Sequence, residues 1–274
     1  RGAFALAFLF DGENDLLIGA RKGSPLAVGF GKGEMYVGSH ALPLAPLTNK
    51  IAYLEDGDCV VLTRDGVKMR NAKGAAVKRP VQKVELSNLI VDKGNHRHFM
   101  AKEIHKQPEV VGHTLAHYLD MSAEKVSLPV KLPFDFAKLD RISISACGTA
   151  CIAGQIAKYW FERLARLPVD IDIASEFRYR EQPLSKDGIT MVISQSGETA
   201  DTLASLRYAR SEGQRIAAVV NVRESTIARE ADVVLPLHAG PEIGVASTKA
   251  FTAQLAVLAA TAIGAGKARG VQSG

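Results

Sequence analysis

Ile189-Thr190-Met191-Val192-Ile193-Ser194-Gln195-Ser196-Gly197-Glu198-Thr199-Ala200-Asp201-Thr202 turns from apolar to polar at Ser194 and into helical periodicity at about Thr199. A short, almost wholly apolar run leading directly into a helix reads as a strand buried on both faces, as a parallel sheet requires. The same alternation extends to either side. Upstream lie a strand over Ile142–Ala146, a helix over 151–166 and a strand over Val169–Ile173. Downstream come a helix over 199–212, a strand over Ile216–Asn221, a short helix near Ser225–Arg229, a strand over Val233–Leu237 and a helix over 248–264. Strands alternating with amphipathic helices predict an α/β, doubly wound parallel sheet for residues 140–274.

The first part of the chain has a different grain. Short apolar runs at Ala3–Phe10, Leu16–Ala20, Pro25–Phe30, Ile51–Leu54, Cys59–Thr63 and Val67–Arg70 are separated by turn formers such as Asp11-Gly12 and Asp65-Gly66. This spacing predicts an antiparallel, hairpin-rich part of α+β character over 1–91. Gly29-Phe30-Gly31-Lys32-Gly33 imitates a nucleotide loop, but its glycine spacing is wrong for one and a turn between strands is expected. Over 92–139, apolar residues at Met100, Ile104, Val111, Leu115 and Leu119 predict a helix from His98 to about Leu119, followed by an interdomain linker with Pro129 and Pro133.

Bulk composition narrows the function. With 274 residues, 47% apolar and 23% charged, the chain suits two folded domains rather than a disordered or fibrous polymer. The net charge of +5 is scattered, not gathered into basic runs, which favours a small anionic ligand over nucleic acid. Three cysteines (Cys59, Cys147, Cys151) make no even disulfide framework and suit a reducing compartment. The most apolar stretch, Ala250–Gly264, is short for a bilayer span and carries Thr and Gln, so a buried helix is expected. Residue 1 is Arg, no leader follows, and the far end stops on a Gly- and Ser-containing tail, so both ends are expected to lie within a longer polypeptide.

In an open parallel sheet, ligands settle beyond the carboxyl ends of the strands, where helix N-termini offer N–H groups and a partial positive charge. Two loops there carry chemistry: Cys147-Gly148-Thr149-Ala150, and the six-residue bend Ser194–Thr199. Ser194, Ser196 and Thr199 each offer a hydroxyl donor, while Gly197 lets the backbone approach closely. Without the Gly-Lys-Ser/Thr of a nucleotide loop, such a neutral grip suits a sugar phosphate and calls for no metal. The bland alternative is that these hydroxyls merely cap the following helix.

Ser194–Thr202 resembles the phosphate loop of sugar isomerase (SIS) domains in the form carried by the glucosamine-6-phosphate synthase family. Ala146-Cys147-Gly148-Thr149, the run Ile173-Ala174-Ser175-Glu176-Phe177-Arg178-Tyr179-Arg180, and Glu242-Ile243-Gly244-Val245-Ala246-Ser247-Thr248-Lys249-Ala250-Phe251-Thr252 are similar to motifs of that family, in the same order. Arg21-Lys22-Gly23-Ser24-Pro25-Leu26 and Leu54-Glu55-Asp56-Gly57-Asp58 resemble the later half of its Ntn-type glutaminase domain. Asp92-Lys93-Gly94 with Arg97-His98, Met100, Lys102-Glu103-Ile104 and Gln107-Pro108 resembles the stretch after it.

The resemblance implies that Ser194, Gln195, Ser196 and Thr199 hold a 6-phosphate and that Thr149, Val245 and Ser247 touch the sugar, with Cys147, Gly148 and Gly197 completing the binding set. It implies fructose 6-phosphate and glutamine as substrates, glucosamine 6-phosphate as product, cytoplasmic amino-sugar biosynthesis, a homodimer, and no cofactor, metal, nucleic acid or membrane. Ala150 departs from the family pattern, which commonly has a serine there; one neutral hydrogen bond fewer costs about 1 kcal/mol. The family's nucleophile is an N-terminal cysteine, and its sugar-end lysine, glutamate and histidine belong to later sequence. No catalytic residue is therefore expected within residues 1–274, and the chain by itself is expected to bind hexose phosphate weakly or not at all and to catalyse nothing. The rival readings are a non-catalytic SIS-domain sensor, which a helix-turn-helix upstream would favour, and a simple sugar-phosphate isomerase.

Other signals have plainer readings. Cys59 and Cys151 are expected as small core residues, and Trp160, with Ile156, Tyr159 and Leu164, as helix packing. Glu198 gains from the helix dipole without a catalytic role, and Lys249 is expected to orient its loop or meet the ligand's charge. His96, His98, His105, His113 and His117 invite a metal. His113 and His117 have i, i+4 spacing, but Thr114 replaces the glutamate of a zinc protease and no third ligand is visible nearby.

Overall fold

The computed structural model describes residues 2–83 and 93–271. The chain forms two compact units, 1–92 and 93–274. The division expected at residues 91 and 92 falls outside the described residues.

In the first unit, alternating apolar residues and tight turns build strands β1 (Phe4–Leu9), β2 (Leu17–Lys22), β3 (Ala27–Phe30) and β4 (Met35–Gly38), the short helix α1 (Ala41–Leu44), then β5 (Lys50–Tyr53), β6 (Cys59–Thr63), β7 (Gly66–Arg70), β8 (Ala76–Val77) and β9 (Val81–Lys83). They pair antiparallel in two sheets, ordered β1-β2-β6-β7-β8 and β4-β3-β5-β9. Val28 and Ala52 from one sheet, with Leu26 and Leu54 at the ends of its strands, meet Val60, Leu62 and Met69 from the other in a shared core. The Gly29–Gly33 segment does form a hairpin connection, β3 pairing with β4. Two motif segments far apart in sequence are stitched together: buried Arg21 donates to the Leu54 carbonyl at 2.7 Å, and Gly57 N–H to the Arg21 carbonyl at 3.0 Å.

The second unit opens with α2 (Phe99–His105) and α3 (Gln107–Ala116), where a single helix to Leu119 was expected. The break is explained by Pro108, which has no N–H to give to the Ile104 carbonyl and whose ring crowds it. The Gln107 side-chain amide takes that carbonyl instead, at 3.0 Å. The buried face also differs from the expected one: Glu103, Val110, Thr114 and Tyr118 are buried, whereas Met100 and Ile104 are exposed. A small hairpin of β10 (Leu119–Asp120) and β11 (Lys125–Val126) follows within the expected linker. Phe136 and Leu139 join the core of this unit, and Arg269 donates to both their carbonyl oxygens.

From Ile142 onward the chain alternates as its sequence predicts: β12 (Ile142–Ala146), α4 (Gly148–Ala165), β13 (Val169–Ile173), the unforeseen one-turn α5 (Ala174–Phe177), β14 (Ile189–Ser194), α6 (Ala200–Ser211), β15 (Arg215–Val220), α7 (Thr226–Glu230), β16 (Val233–Pro236) and α8 (Lys249–Ala268). The five strands are parallel, ordered β13-β12-β14-β15-β16. The period-two pattern divides their side chains between two cores. Met191, Ile193, Ala217 and Val219 meet α4 and α8, while Val192, Ala218 and Val220 meet α6 and α7. Both faces are thereby covered, which is the reason for the continuous apolar strands. On α4 the core face is mainly Ala153, Ala157, Phe161 and Ala165; Trp160 packs at its edge, but Tyr159 is exposed. Helix α8 is longer than the apolar stretch suggested. Its 20 residues are long and apolar enough to cross a membrane, yet 61% of its most apolar window is buried within the unit.

Candidate functional site

The order β13-β12-β14 places a topological switch point between β12 and β14, since the chain winds outward from these two strands in opposite directions. Side chains at a switch point are parted by loops that diverge to opposite faces, which leaves a crevice at the carboxyl ends. A cavity of about 220 Å³ lies there. Cys147, Thr149 and Ala150 line it after β12; Ile193, Ser194, Gln195, Ser196 and Thr199 at the end of β14; and Glu242, Gly244, Val245, Ser247 and Gln254 from the approach to α8 and α8 itself.

Internal hydrogen bonds give the six-residue bend its shape. The Ser194 hydroxyl accepts the Gly197 N–H at 3.0 Å and lies 3.0 Å from the Thr199 hydroxyl, while Ser196 Oγ accepts the Glu198 N–H at 3.2 Å. Gly197 has φ +66°, and a Cβ there would fall 2.0 Å from Ser225 Oγ, so only glycine fits. The back of the bend is tied to the connection after β15: Asn221 N–H donates to the Gln195 carbonyl at 3.1 Å and Ile227 N–H to the Gly197 carbonyl at 3.0 Å. Glu198 Oε1 accepts the Thr226 N–H at 2.8 Å, so this carboxylate serves the start of α7. Thr199 stands at the N-cap position of α6 but makes no side-chain cap bond, and Cys147 likewise makes none to α4. The Thr199 hydroxyl is therefore not spent on its own helix, contrary to the capping alternative, and it faces the cavity at a positive helix end.

The third wall is the loop before α8. Glu242 accepts from the Ser247 hydroxyl at 2.9 Å and from the Thr248 and Ala250 N–H groups at 2.9 and 3.2 Å, closing the N-terminus of α8. Lys249, 5% exposed, donates to the Pro241 carbonyl at 2.6 Å and so orients the same loop. Burial pushes its ammonium below the usual lysine range, and the nearby Glu103 and Glu242 carboxylates pull against that. Burial likewise pushes the Cys151 thiol up.

Of the residues singled out in the sequence, Cys147, Thr149, Ser194, Gln195, Ser196, Thr199, Val245 and Ser247 come together around the cavity, with Val245 fully exposed at its rim. Gly148 and Gly197 shape the two loops without lining it. Two polar residues escaped the sequence reading. Gln254 is 1% exposed, lines the cavity, and its amide oxygen has no hydrogen-bond partner among the described residues. Its signal was a lone amide in an otherwise apolar helical stretch. Glu103, 4% exposed on α2, accepts the Ile243 N–H at 2.6 Å and the Gly244 N–H at 3.1 Å, holding the cavity loop from behind. Nothing local in the sequence marks it.

Known proteins agree with this architecture. The SIS domain family matches residues 135–264. A glutamine–fructose-6-phosphate aminotransferase (isomerizing) of Bradyrhizobium diazoefficiens is 67% identical over 98% of this chain and 44% of its own length. The enzyme of that name from Mesorhizobium japonicum is 66% identical over 99% of this chain and 45% of its own. Among solved structures, the C-terminal domain of glucosamine-fructose-6-phosphate aminotransferase from Francisella tularensis matches with a TM-score of 0.63 and 41% identity, over 67% of this chain and 52% of that one. The chain thus spans less than half the length of the curated relatives it matches. With a SIS domain match over residues 135–264 and identities of this size along nearly its whole length, the chain is similar to part of the isomerizing glutamine–fructose-6-phosphate aminotransferases.

Proposed function

We propose that the second unit binds a hexose 6-phosphate, with fructose 6-phosphate as substrate and glucosamine 6-phosphate as product of the whole protein. The phosphate is received by Ser194, Gln195, Ser196 and Thr199 with backbone N–H groups of the bend, and the sugar by Thr149, Val245 and Ser247, with Cys147, Gly148 and Gly197 fixing the loop shapes. The observation that carries this reading is the hydroxyl of Thr199, which stands at a helix N-terminus without capping it and faces the cavity at the switch point. Neutral donors at a positive helix end suit a monoester dianion and need no metal or organic cofactor.

In the same reading the first unit is part of a glutamine-handling domain that releases ammonia for transfer to the sugar. The protein works in the cytoplasm as a homodimer, away from membranes and nucleic acid, in the supply of amino sugars. Titration calorimetry of the 274-residue chain with fructose 6-phosphate, against fructose and inorganic phosphate, tests the binding claim. Fructose 6-phosphate should bind best, and Ser196→Ala and Thr199→Val should each weaken it by about 1 kcal/mol, roughly fivefold. Equal response to fructose and fructose 6-phosphate would sink the phosphate grip.

A further inference from the structure

The second unit carries a cluster of three imidazoles that are not among the residues lining the cavity. His113 lies in the last turn of α3, His117 is the residue that caps its C-terminus, and His238 follows the end of β16. One ring nitrogen from each lies within 4.8 Å of the other two. The His117 and His238 rings stack with centroids 3.7 Å apart, and His113 stands edge-on to both, at 5.0 and 5.9 Å.

Buried polar contacts hold this arrangement together. The residues that follow His113 and His117, Thr114 and Tyr118, are both buried and both bind the backbone just before His238. Thr114 Oγ1 donates to the Leu237 carbonyl, and Tyr118 OH to the Pro236 carbonyl at 2.9 Å. Two hydroxyls one turn apart therefore lock α3 against the strand end, and the three histidines face each other as a result. His238 itself has φ +55°, a left-handed conformation uncommon outside glycine, though Asn, Asp and His take it more often than other residues. His117 Nδ1 lies 2.9 Å from the His113 carbonyl oxygen. A carbonyl can only accept, so Nδ1 carries the proton and Nε2 presents its lone pair, the orientation a metal-binding imidazole needs.

We propose that His113, His117 and His238 form a binding site for a divalent late transition ion, with zinc as the natural occupant. Three imidazole nitrogens and a fourth position open to solvent match the donor set that Zn²⁺ accepts. Metal–nitrogen bonds of about 2.0–2.1 Å at tetrahedral angles set the donors roughly 3.4 Å apart, so the His117 and His238 rings, stacked within 12° of parallel, must turn out of their stack for their lone pairs to converge on the ion. One contact competes: Arg223 Nη2 lies 3.2 Å from His238 Nε2, and the exposed guanidinium must swing away as the ion enters. The bound ion would pin α3 to the end of β16.

The chain is loaded with Zn²⁺, freed of excess by gel filtration, and its retained zinc counted by elemental analysis, with calorimetry for affinity. About one equivalent should remain, and His117→Gln and His238→Asn should each weaken binding more than about tenfold. Asparagine is chosen at 238 because it tolerates the left-handed backbone. Arg223→Ala should tighten binding, and a Cys147→Ser/Cys151→Ser variant should leave it unchanged. Retention that survives both histidine changes, or that disappears with the cysteines, overturns the proposal, as does failure of the unmodified chain to hold zinc. Co²⁺ loading gives a second readout: visible absorption of a low-coordinate nitrogen site in the unmodified chain and none in His117→Gln.

Discussion

At Gly197 a single hydrogen atom in place of a methyl group decides the shape of the six-residue bend. Alanine there would need a left-handed backbone, which costs about 1–2 kcal/mol, and would drive its Cβ to 2.0 Å from Ser225 Oγ. Gly197→Ala should therefore lower the thermal midpoint of the second unit and abolish measurable fructose 6-phosphate binding, read by calorimetry. Ala150 works in the opposite sense. Its side chain lines the cavity beside Thr149, so Ala150→Ser should add one hydrogen bond and tighten hexose phosphate binding by about 1 kcal/mol, roughly fivefold. Lys249 offers a test in pH. Its folded ammonium is depressed below the ordinary 10.5 by burial, so between the lowered value and 10.5 the unfolded chain binds the proton and the folded chain does not. Stability from this group accordingly rises with pH across that window. Lys249→Met should lack the rise in denaturant titrations, and near neutral pH should lose about 1.5–3 kcal/mol for the missing charged donor to Pro241.

At the scale of elements, legibility follows sequence distance. The bend could be read because strand, loop and helix start are consecutive, so Ser194 to Thr199 announce themselves together. The kink between α2 and α3 was readable in principle from Pro108, but apolar periodicity through Met100 and Ile104 masked it. Both of those side chains are exposed, and a carboxylate, Glu103, points inward instead. A buried acid contradicts any apolar template, and its two backbone partners, Ile243 and Gly244, come from a loop that no local rule connects to α2. The same holds for Gln254, whose exposure was settled by the packing of α8. Glu103→Gln keeps one acceptor but loses the charge. It should destabilise the loop by about 1.5–3 kcal/mol and weaken hexose phosphate binding, while the conservative Glu103→Asp, too short to reach, should do no better.

Across the whole molecule, two units with separate cores predict separable melting. Calorimetry should resolve two transitions, and fructose 6-phosphate should raise only that of the second unit, by mass action on its folded state. A single transition that moves as one with ligand would count against independent cores. The fold class was legible at this scale because hairpin punctuation and strand–helix alternation differ so plainly along the chain. The place of residues 93–139 was not, because prolines and mixed composition look like a connector even where Tyr118 and Phe136 are buried in the core.

The carboxylate brace on α2 has a practical corollary. The SIS domain match begins at residue 135, whereas Glu103 reaches the loop before α8 from more than thirty positions earlier. A protein trimmed to the recognised domain would keep every residue that lines the crevice and still lose the strut that keeps its third wall upright.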